Sequence, residues 1–566
     1  MSATIAAESI ENKNFFIGYN CIYVSLCRKG RTIFINTLPF VPFFWLSQGI
    51  CLFLLYLKHN WHLQPKNTTL YMAKELKTLV KDTAIYGLSS IVGRFLNYLL
   101  VPLHTTKIIA ESGGYGVVSN VYAYTALLMA LLTFGMETTF FRFSNKEGED
   151  SRKVYGTTLW MVGGVSLLFA LLCFVFNAPI SAFMGYADHP EYIACMTTIV
   201  AFDALQSILF ARLRGQHRPV KFMVLKMSFI ILSVLLNLFI FLGAPAICRI
   251  NPELLWWYRP ENSVGYIFAI NLICTVSVTF GFIPELKGFT YGFDRKLAGR
   301  MLRYALPILV LSIAGILNQV ADKITYRFIV PGTEGDVQLG IYGACTKIAM
   351  IMALLTQAFR YAYEPFVFGK SRDKDNREMY AATMKYFIIF TLLAFLAVVF
   401  YMDILKYLIG STYWEGLRVV PIVMMAEIFM GIYFNLSFWY KLSDRTYWGA
   451  IMSIIACAVL LGINILFVPR FGYVACAWGG LAGYGTAMLL SYFIGQHYYP
   501  IQYDIKGIGL YFGLALLLFG ASQMLPFENP WLRMSVNTLL LAVYLAYVVK
   551  HDLPLNQIPI IKRWVK

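Results

Sequence analysis

Charge is scarce in this chain of 566 residues. Asp, Glu, Lys and Arg make up 14% of it, against about a quarter of an ordinary soluble domain. With 58% of residues hydrophobic and a mean hydropathy of +0.62, too few polar side chains remain to cover a water-facing surface. A string of soluble domains is therefore excluded. Clustered cysteine is also missing. The ten cysteines are scattered, mostly inside apolar runs, with no CxxC pair, which argues against a disulfide framework or a zinc site. The seven histidines form no HExxH pattern. There is no GxxxxGK[ST], no GxSxG, and no GxGxxG after a strand-like run. A soluble catalytic or nucleotide-binding domain has no support, and no metal or cofactor is expected. Acid is the rarer charge, 30 Asp and Glu against 47 Lys and Arg, a net charge of +17. In so apolar a chain this excess points to basic cytoplasmic loops, not to nucleic acid.

What is present is a succession of apolar runs, each near the ~20 residues a helix needs to cross ~30 Å of hydrocarbon. They predict an all-α polytopic membrane protein with about 14 transmembrane helices after residue 80. The expected spans are 83–104, 117–136, 154–176, 191–211, 222–243, 263–283, 301–322, 340–360, 380–401, 416–438, 447–468, 473–495, 506–523 and 530–549. One set of loops carries Lys74, Lys77, Lys81, Arg142, Lys146, Arg152, Lys153, Arg212, Arg214, Arg218, Lys221, Lys287, Arg295, Lys296, Arg300, Lys370, Arg372, Lys374 and Arg377, and continues to Lys566. The opposite set carries only Lys107, Arg249, Arg259, Lys323, Arg327, Lys406 and Arg470. The basic set is read as cytoplasmic, which puts both ends of the helical unit inside.

Residues 1–71 do not fit this pattern. The apolar run from Ile33 to Leu57 would, as an ordinary span, invert every later loop. The stretch Met72-Ala-Lys-Glu-Leu-Lys looks like a natural start. The preferred expectation is a non-native N-terminal extension, and the rival is an extra hydrophobic hairpin or interfacial segment.

An internal repeat runs through the helices. Tyr115-Gly116 opens the second helix and Tyr342-Gly343 the eighth. Arg218 precedes the fifth helix and Asn237 sits late in it, as Arg445 and Asn464 do for the eleventh, at the same offset. Met129-Ala-Leu-Leu-Thr133 returns as Met352-Ala-Leu-Leu-Thr356, about one helical turn out of that register. Corresponding helices start from the same side, so the repeat is parallel. The expected division is an N-terminal six-helix bundle over 72–290, a C-terminal six-helix bundle over 291–500, and two additional helices with a cytoplasmic tail over 501–566.

The stretch Asn464-Ile-Leu-Phe-Val-Pro-Arg-Phe-Gly-Tyr-Val-Ala-Cys-Ala477 resembles a motif of the polysaccharide flippases, of the multidrug/oligosaccharidyl-lipid/polysaccharide exporter superfamily. Leu306-Pro307 with Asp322-Lys323, Tyr115-Gly116, and Arg212-Leu-Arg-Gly-Gln-His-Arg218 are similar to further features of that family. The resemblance covers residues 72–550. It implies two six-helix bundles around a central cavity. It also implies movement of a polyprenyl-diphosphate-linked oligosaccharide from the cytoplasmic to the outer leaflet of a bacterial inner membrane. Such cargo serves O-antigen, lipopolysaccharide or capsule synthesis, with glycosyltransferases and a glycan polymerase as pathway partners.

An ionisable side chain at mid-bilayer costs about 2.5–3.5 kcal/mol on insertion scales, so such residues face a bundle interior or a water-filled cavity. Arg94 sits near the middle of the first helix, with Asn97 and Tyr98 on the same face. Asn318 and Asp322 share a face of the seventh helix, and the eighth carries Lys347. Arg94, Asn97, Asn318, Asp322 and Lys347 are the candidate cavity residues. Arg and Lys there would neutralise a diphosphate headgroup, and no nucleophile or general base is needed. For Arg94 and Lys347 the alternative is structural pairing between helices. Arg360 and Glu364 are either a gate or a membrane-surface pair. Asp203 and Glu427 are candidates for ion coupling, with interhelix hydrogen bonding as the alternative. Lys323 and Arg327 lie where long side chains snorkel outward. Two other functions compete: a multidrug or cation exporter, which would want acid in the cavity, and a membrane-embedded glycan polymerase or ligase, which would want an extramembrane catalytic segment.

Overall fold

The computed structural model describes residues 96, 98–286, 292–369, 376–443, 445–525 and 529–552. The expectations for residues 1–71 lie outside them. Among the described residues there are no strands, and 13 helices are long and apolar enough to cross a membrane. We number the helices α1 (Val101–Lys107), α2 (Gly114–Ser144), α3 (Ser151–Val175), α4 (Pro190–Gly215), α5 (Pro219–Ile250), α6 (Pro260–Phe280), α7 (Arg295–Ile329) and α8 (Thr333–Gly369). They continue with α9 (Asn376–Phe400), α10 (Ser411–Leu442), α11 (Tyr447–Phe471), α12 (Tyr473–Tyr498), α13 (Ile505–Gln523) and α14 (Pro530–His551). Of these fourteen only the short α1 falls below spanning length, and it overlaps the end of the first expected span.

Local chemistry sets the boundaries. Pro190, Pro219 and Pro530 stand at the first helical position of α4, α5 and α14, where a missing N–H costs nothing. Asp150, Asp294, Asp504 and Asn529 cap α3, α7, α13 and α14, each accepting a backbone N–H of the first turn. Between α11 and α12 the chain reverses at Gly472 with φ +56°, a conformation open to glycine at little cost. Helices α7 and α8 have 35 and 37 residues. At ~1.5 Å per residue they exceed 50 Å, well beyond the ~30 Å of hydrocarbon.

The packing pattern of the first six helices recurs in the next six. In the N-terminal bundle α2 and α3 lie against α4, while α4 and α5 lie against α6. In the C-terminal bundle α8 and α9 lie against α10, while α10 and α11 lie against α12. Tyr115 in the first turn of α2 and Tyr342 in the third turn of α8 are both buried, as are Asn237 and Asn464 past the midpoints of α5 and α11. The bundles meet through α2, which packs on both α7 and α8. Helices α13 and α14 attach to α9 at both of its ends. Lys385 of α9 pairs with Asp504 (3.0 Å) and Asp552 (2.5 Å). Near the other end Arg533 pairs with Asp403, and the Asn537 amide donates to Phe400 O at 3.1 Å.

Candidate functional site

The ends of the helices that carry the Lys- and Arg-rich loops form a basic end, and the opposite ends form a far end. At the far end the two bundles are sealed to each other. Gly116 of α2 lies so close to the Asp336 carbonyl of α8 that a Cβ could not fit. Gly343 sits equally tight on Ser119, and a Cβ on Gly340 would lie 3.0 Å from the Gly116 nitrogen. Polar contacts complete the seam. Tyr413 OH donates to Ile108 O (2.6 Å), Gly410 N–H to Thr105 Oγ1 (2.9 Å) and Ala110 N–H to Thr412 Oγ1 (3.1 Å). The Asn120 amide donates to Lys323 O (2.8 Å), and Arg327 donates to Gly185 O (2.6 Å) while pairing with Asp336 (2.9 Å) and stacking on Tyr186. These five hydrogen bonds join the two bundles at the far end; at the basic end Arg300 pairs with Glu149 at 2.5 Å and Asp294 N–H donates to Thr157 Oγ1 at 3.4 Å.

Lys347 lies one turn further along α8 from Gly343, on the face turned toward the first bundle, and is half-buried. Two other basic groups are within electrostatic reach of it: His104 on α1 and Lys323 on α7. The His104 ring donates from Nε2 to the Asn237 side-chain oxygen at 2.6 Å, which ties α1 to α5. Among the described residues Lys347 has no carboxylate partner.

Beside this seam the C-terminal bundle holds a polar cluster. Asp322 accepts the Tyr342 hydroxyl at 2.7 Å and the Lys323 backbone N–H at 2.8 Å. The Lys323 ammonium stands 3.3 Å from Asp322 and 5.4 Å over the Tyr342 ring. Glu427 of α10 is half-buried, and its Oε2 has no hydrogen-bond partner among the described residues. The Tyr484 hydroxyl of α12 donates to Asn318 O at 3.2 Å and is in electrostatic reach of Glu427 and Asp322. The N-terminal bundle has a smaller counterpart. Asp203 of α4 accepts the Thr275 hydroxyl of α6 at 3.3 Å, with Lys226 of α5 in electrostatic reach, and Asn271 donates to Tyr122 OH at 2.8 Å.

Of the expected cavity residues, Arg94 and Asn97 lie outside the described residues. Asn318 does not face the first bundle. Its amide donates to Ser453 O of α11 and Ala314 O, both at 2.8 Å, so it fastens α7 inside the C-terminal bundle. The expectation of a seam-facing Asn318 is corrected accordingly, because a buried amide takes the nearest backbone acceptor. Asp322 lies in the same bundle interior, and Lys347 is at the seam. Arg360 is exposed and stacks 4.9 Å from the Phe434 ring. The Glu364 side chain lies outside the described set, so their expected pairing does too. Lys323 and Arg327 do not snorkel outward. Each finds a carboxylate on or next to its own helix, and local pairing replaces exposure. His104, Tyr342 and Arg327 were not legible as site residues. Their partners are 133, 20 and 142 positions away at Asn237, Asp322 and Gly185, and no local motif records such contacts. Tyr342 was singled out only as a repeat marker.

Thirteen long apolar helices in two similarly packed bundles define a multi-pass membrane protein. Residues 79–360 match the model of the polysaccharide biosynthesis protein family. A comparison with curated proteins gives no match. Among solved structures, the chain is similar to the lipid II flippase MurJ in its inward closed conformation, with 14% identity, a TM-score of 0.62, and coverage of 82% of this chain and 98% of that one. It is also similar to a MATE-family multidrug resistance transporter of the MOP superfamily in an inward-facing conformation, with 12% identity, a TM-score of 0.56, and coverage of 71% and 93%. A third likeness is the MATE multidrug transporter DinF-BH, with 16% identity, a TM-score of 0.54, and coverage of 76% and 98%. At these identities the likeness establishes the fold.

Proposed function

We propose that the protein is a flippase. It carries a polyprenyl-diphosphate-linked oligosaccharide from the cytoplasmic to the outer leaflet, for synthesis of a cell-surface polysaccharide. The observation that carries this is Lys347, a half-buried lysine at the seam between two bundles, with His104 and Lys323 near it and no carboxylate partner among the described residues. An ammonium so placed disfavours a cationic drug and suits an anionic headgroup. Cargo is assigned to enter from the basic end, which requires the Arg300–Glu149 and Asp294–Thr157 contacts between the bundles there to open, and the headgroup advances when the bundles rock apart at the seam. The lipid tail stays in the bilayer, and no bond is made or broken, so the polymerase and ligase alternatives are not needed. Arg94 and Asn97 belong to the same proposed headgroup wall. Arg360 and Glu364 are assigned to the entrance, and Asp203 and Glu427 to ion coupling. The bundle boundaries 72–290, 291–500 and 501–566, a bacterial inner-membrane location with both ends of the helical unit cytoplasmic, and pathway partners that build and polymerise the glycan complete the proposal.

The test is flipping of a fluorescent polyprenyl-diphosphate oligosaccharide in proteoliposomes. Lys347→Ala is expected to lower the rate by about tenfold or more, the worth of one charge-assisted contact, with protein abundance unchanged. Lys347→Arg is expected to restore most of it. Normal flipping by Lys347→Ala, or transport of cationic dyes in its place, would overturn the assignment.

A further inference from the structure

The C-terminal cluster contains more charge than its own packing requires. Asp322 is already served by two donors, the Tyr342 hydroxyl at 2.7 Å and the Lys323 backbone N–H at 2.8 Å. The Lys323 ammonium adds only long contacts: 3.3 and 3.4 Å to the two Asp322 oxygens and 3.4 Å to Gln319 O. A firm ammonium–carboxylate bond is about 2.7–2.9 Å. Lys323 is therefore loosely held, on a flexible four-carbon stem. Glu427 of α10 is within electrostatic reach of it and has one oxygen unpartnered among the described residues, and Lys347 of α8 is a basic group within electrostatic reach of it. Two carboxylates and two ammonium groups thus balance, with one ammonium able to move.

We propose that Lys323 is a mobile counter-ion that leaves Asp322 when an anionic headgroup arrives and joins Lys347 in holding it. This deepens the flippase proposal and rests on it. Asp322 and the diphosphate then compete for the same ammonium. Asp322 keeps its two other donors when Lys323 departs, so release does not strand a carboxylate without hydrogen bonds. The departure also leaves Asp322 and Glu427 with one ammonium fewer, so anion binding draws a compensating cation or proton toward the C-terminal bundle.

The competition has an opposite sign for its two members, which a packing role would not give. Purified full-length protein in detergent is titrated with farnesyl diphosphate, followed by intrinsic tryptophan fluorescence. Lys323→Met is expected to weaken binding by about tenfold, the loss of one charge-assisted contact. Asp322→Asn keeps an acceptor for Tyr342 and is expected to tighten binding, because the ammonium no longer has a competing carboxylate. Lys323→Arg restores binding. Unchanged affinity in Lys323→Met, or weaker binding in Asp322→Asn with a normal melting temperature, would overturn the counter-ion. If Asp322→Asn lowers the melting temperature, the Lys323→Met titration decides alone. Failure of the wild-type protein to bind farnesyl diphosphate would instead overturn the flippase proposal on which this one stands.

Discussion

The N-terminal and C-terminal bundles share one packing pattern and fill it with different chemistry. At the basic end of the N-terminal bundle the organiser is ionic. Glu285, only 4% exposed, accepts Lys221 at 2.6 Å and Arg218 at 3.2 Å. Its backbone oxygen takes Arg212 and Tyr155, both at 2.9 Å, with the Arg212 guanidinium stacked on the Tyr155 ring. At the corresponding end of the C-terminal bundle the meeting of α10, α11 and α12 is aromatic, and the ion pairs of Lys385 reach outward to Asp504 and Asp552 beside α13 and α14. Trp439 stacks on Tyr498, meets Tyr440 edge-on and donates to Ser491 at 3.1 Å. Arg445, the repeat partner of Arg218, lies 4.1 Å over the Tyr498 ring. Inside the membrane the weight is reversed among the described residues: the N-terminal bundle has Asp203 with Lys226 in electrostatic reach, while the C-terminal bundle has Asp322, Lys323 and Glu427. One scaffold thus supports a bundle braced by ions at its surface and a bundle carrying movable charge in its interior.

That contrast can be broken in graded steps. The largest effect is expected from Trp439→Ala, which empties a buried indole site and destabilises by about 3–5 kcal/mol. Its melting temperature in detergent should fall by the same amount in low and high salt. Next is Glu285→Ala, which leaves Lys221 and Arg218 without their shared carboxylate. Both cations reach water in part, so about 2–3 kcal/mol is expected, below the cost of a fully buried pair. Here the gap from wild type should narrow as salt rises. Equal salt sensitivity of the two variants would erase the ionic–aromatic distinction.

A finer comparison uses the repeat asparagines. Asn237 is bonded to His104, and its amide nitrogen donates to Ser233 O at 2.8 Å, so Asn237→Leu is expected to cost about 1–2 kcal/mol. Asn464 is 0% exposed and neither side-chain atom has a partner among the described residues, so Asn464→Leu is expected to be neutral or stabilising. Melting curves of the two variants decide this, and equal losses would show that the sites are equivalent after all.

The smallest effect lies at the entry to the C-terminal bundle. Backbone N–H donors of Leu297 and Lys296 hold the Asp294 carboxyl below the usual carboxylate range. A lowered native value adds stability above the unfolded carboxylate range, near pH 3.9, and loses it as pH falls through the native value. Asp294→Asn keeps a capping oxygen without titrating. Wild type and variant should therefore converge in melting temperature in acid and separate slightly toward neutral pH.

How much was legible is clear from individual residues. The spans were readable because hydrocarbon demands long apolar runs whatever packs beside them, and the expected second to fourteenth spans all reappear as helices. The residues that mark the repeat, Tyr115 and Tyr342, and Asn237 and Asn464, are all buried. The site was only partly readable. Lys347 stood out because a lysine inside a span is costly anywhere, but the direction in which Asn318 points depended on which backbone lay nearest. Glu285 belongs to no motif, and only the approach of α4 and α5 makes it a hub.

The sequence by itself determined that the chain lives in a membrane, which segments are helical, and which loops are basic. These follow from solvation and local backbone chemistry, which each segment carries within itself. Only the tertiary structure decided that α2 and α8 seal the far end through Gly116, Gly340 and Gly343, that Arg327 reaches Gly185, and that Lys323 shares Asp322 with Tyr342. The interbundle contacts join residues more than a hundred positions apart, and even the Tyr342–Asp322 pair spans two helices. In each case the partner is fixed by how the helices cross, and helix crossing is a property of two packed surfaces, not of either sequence segment alone.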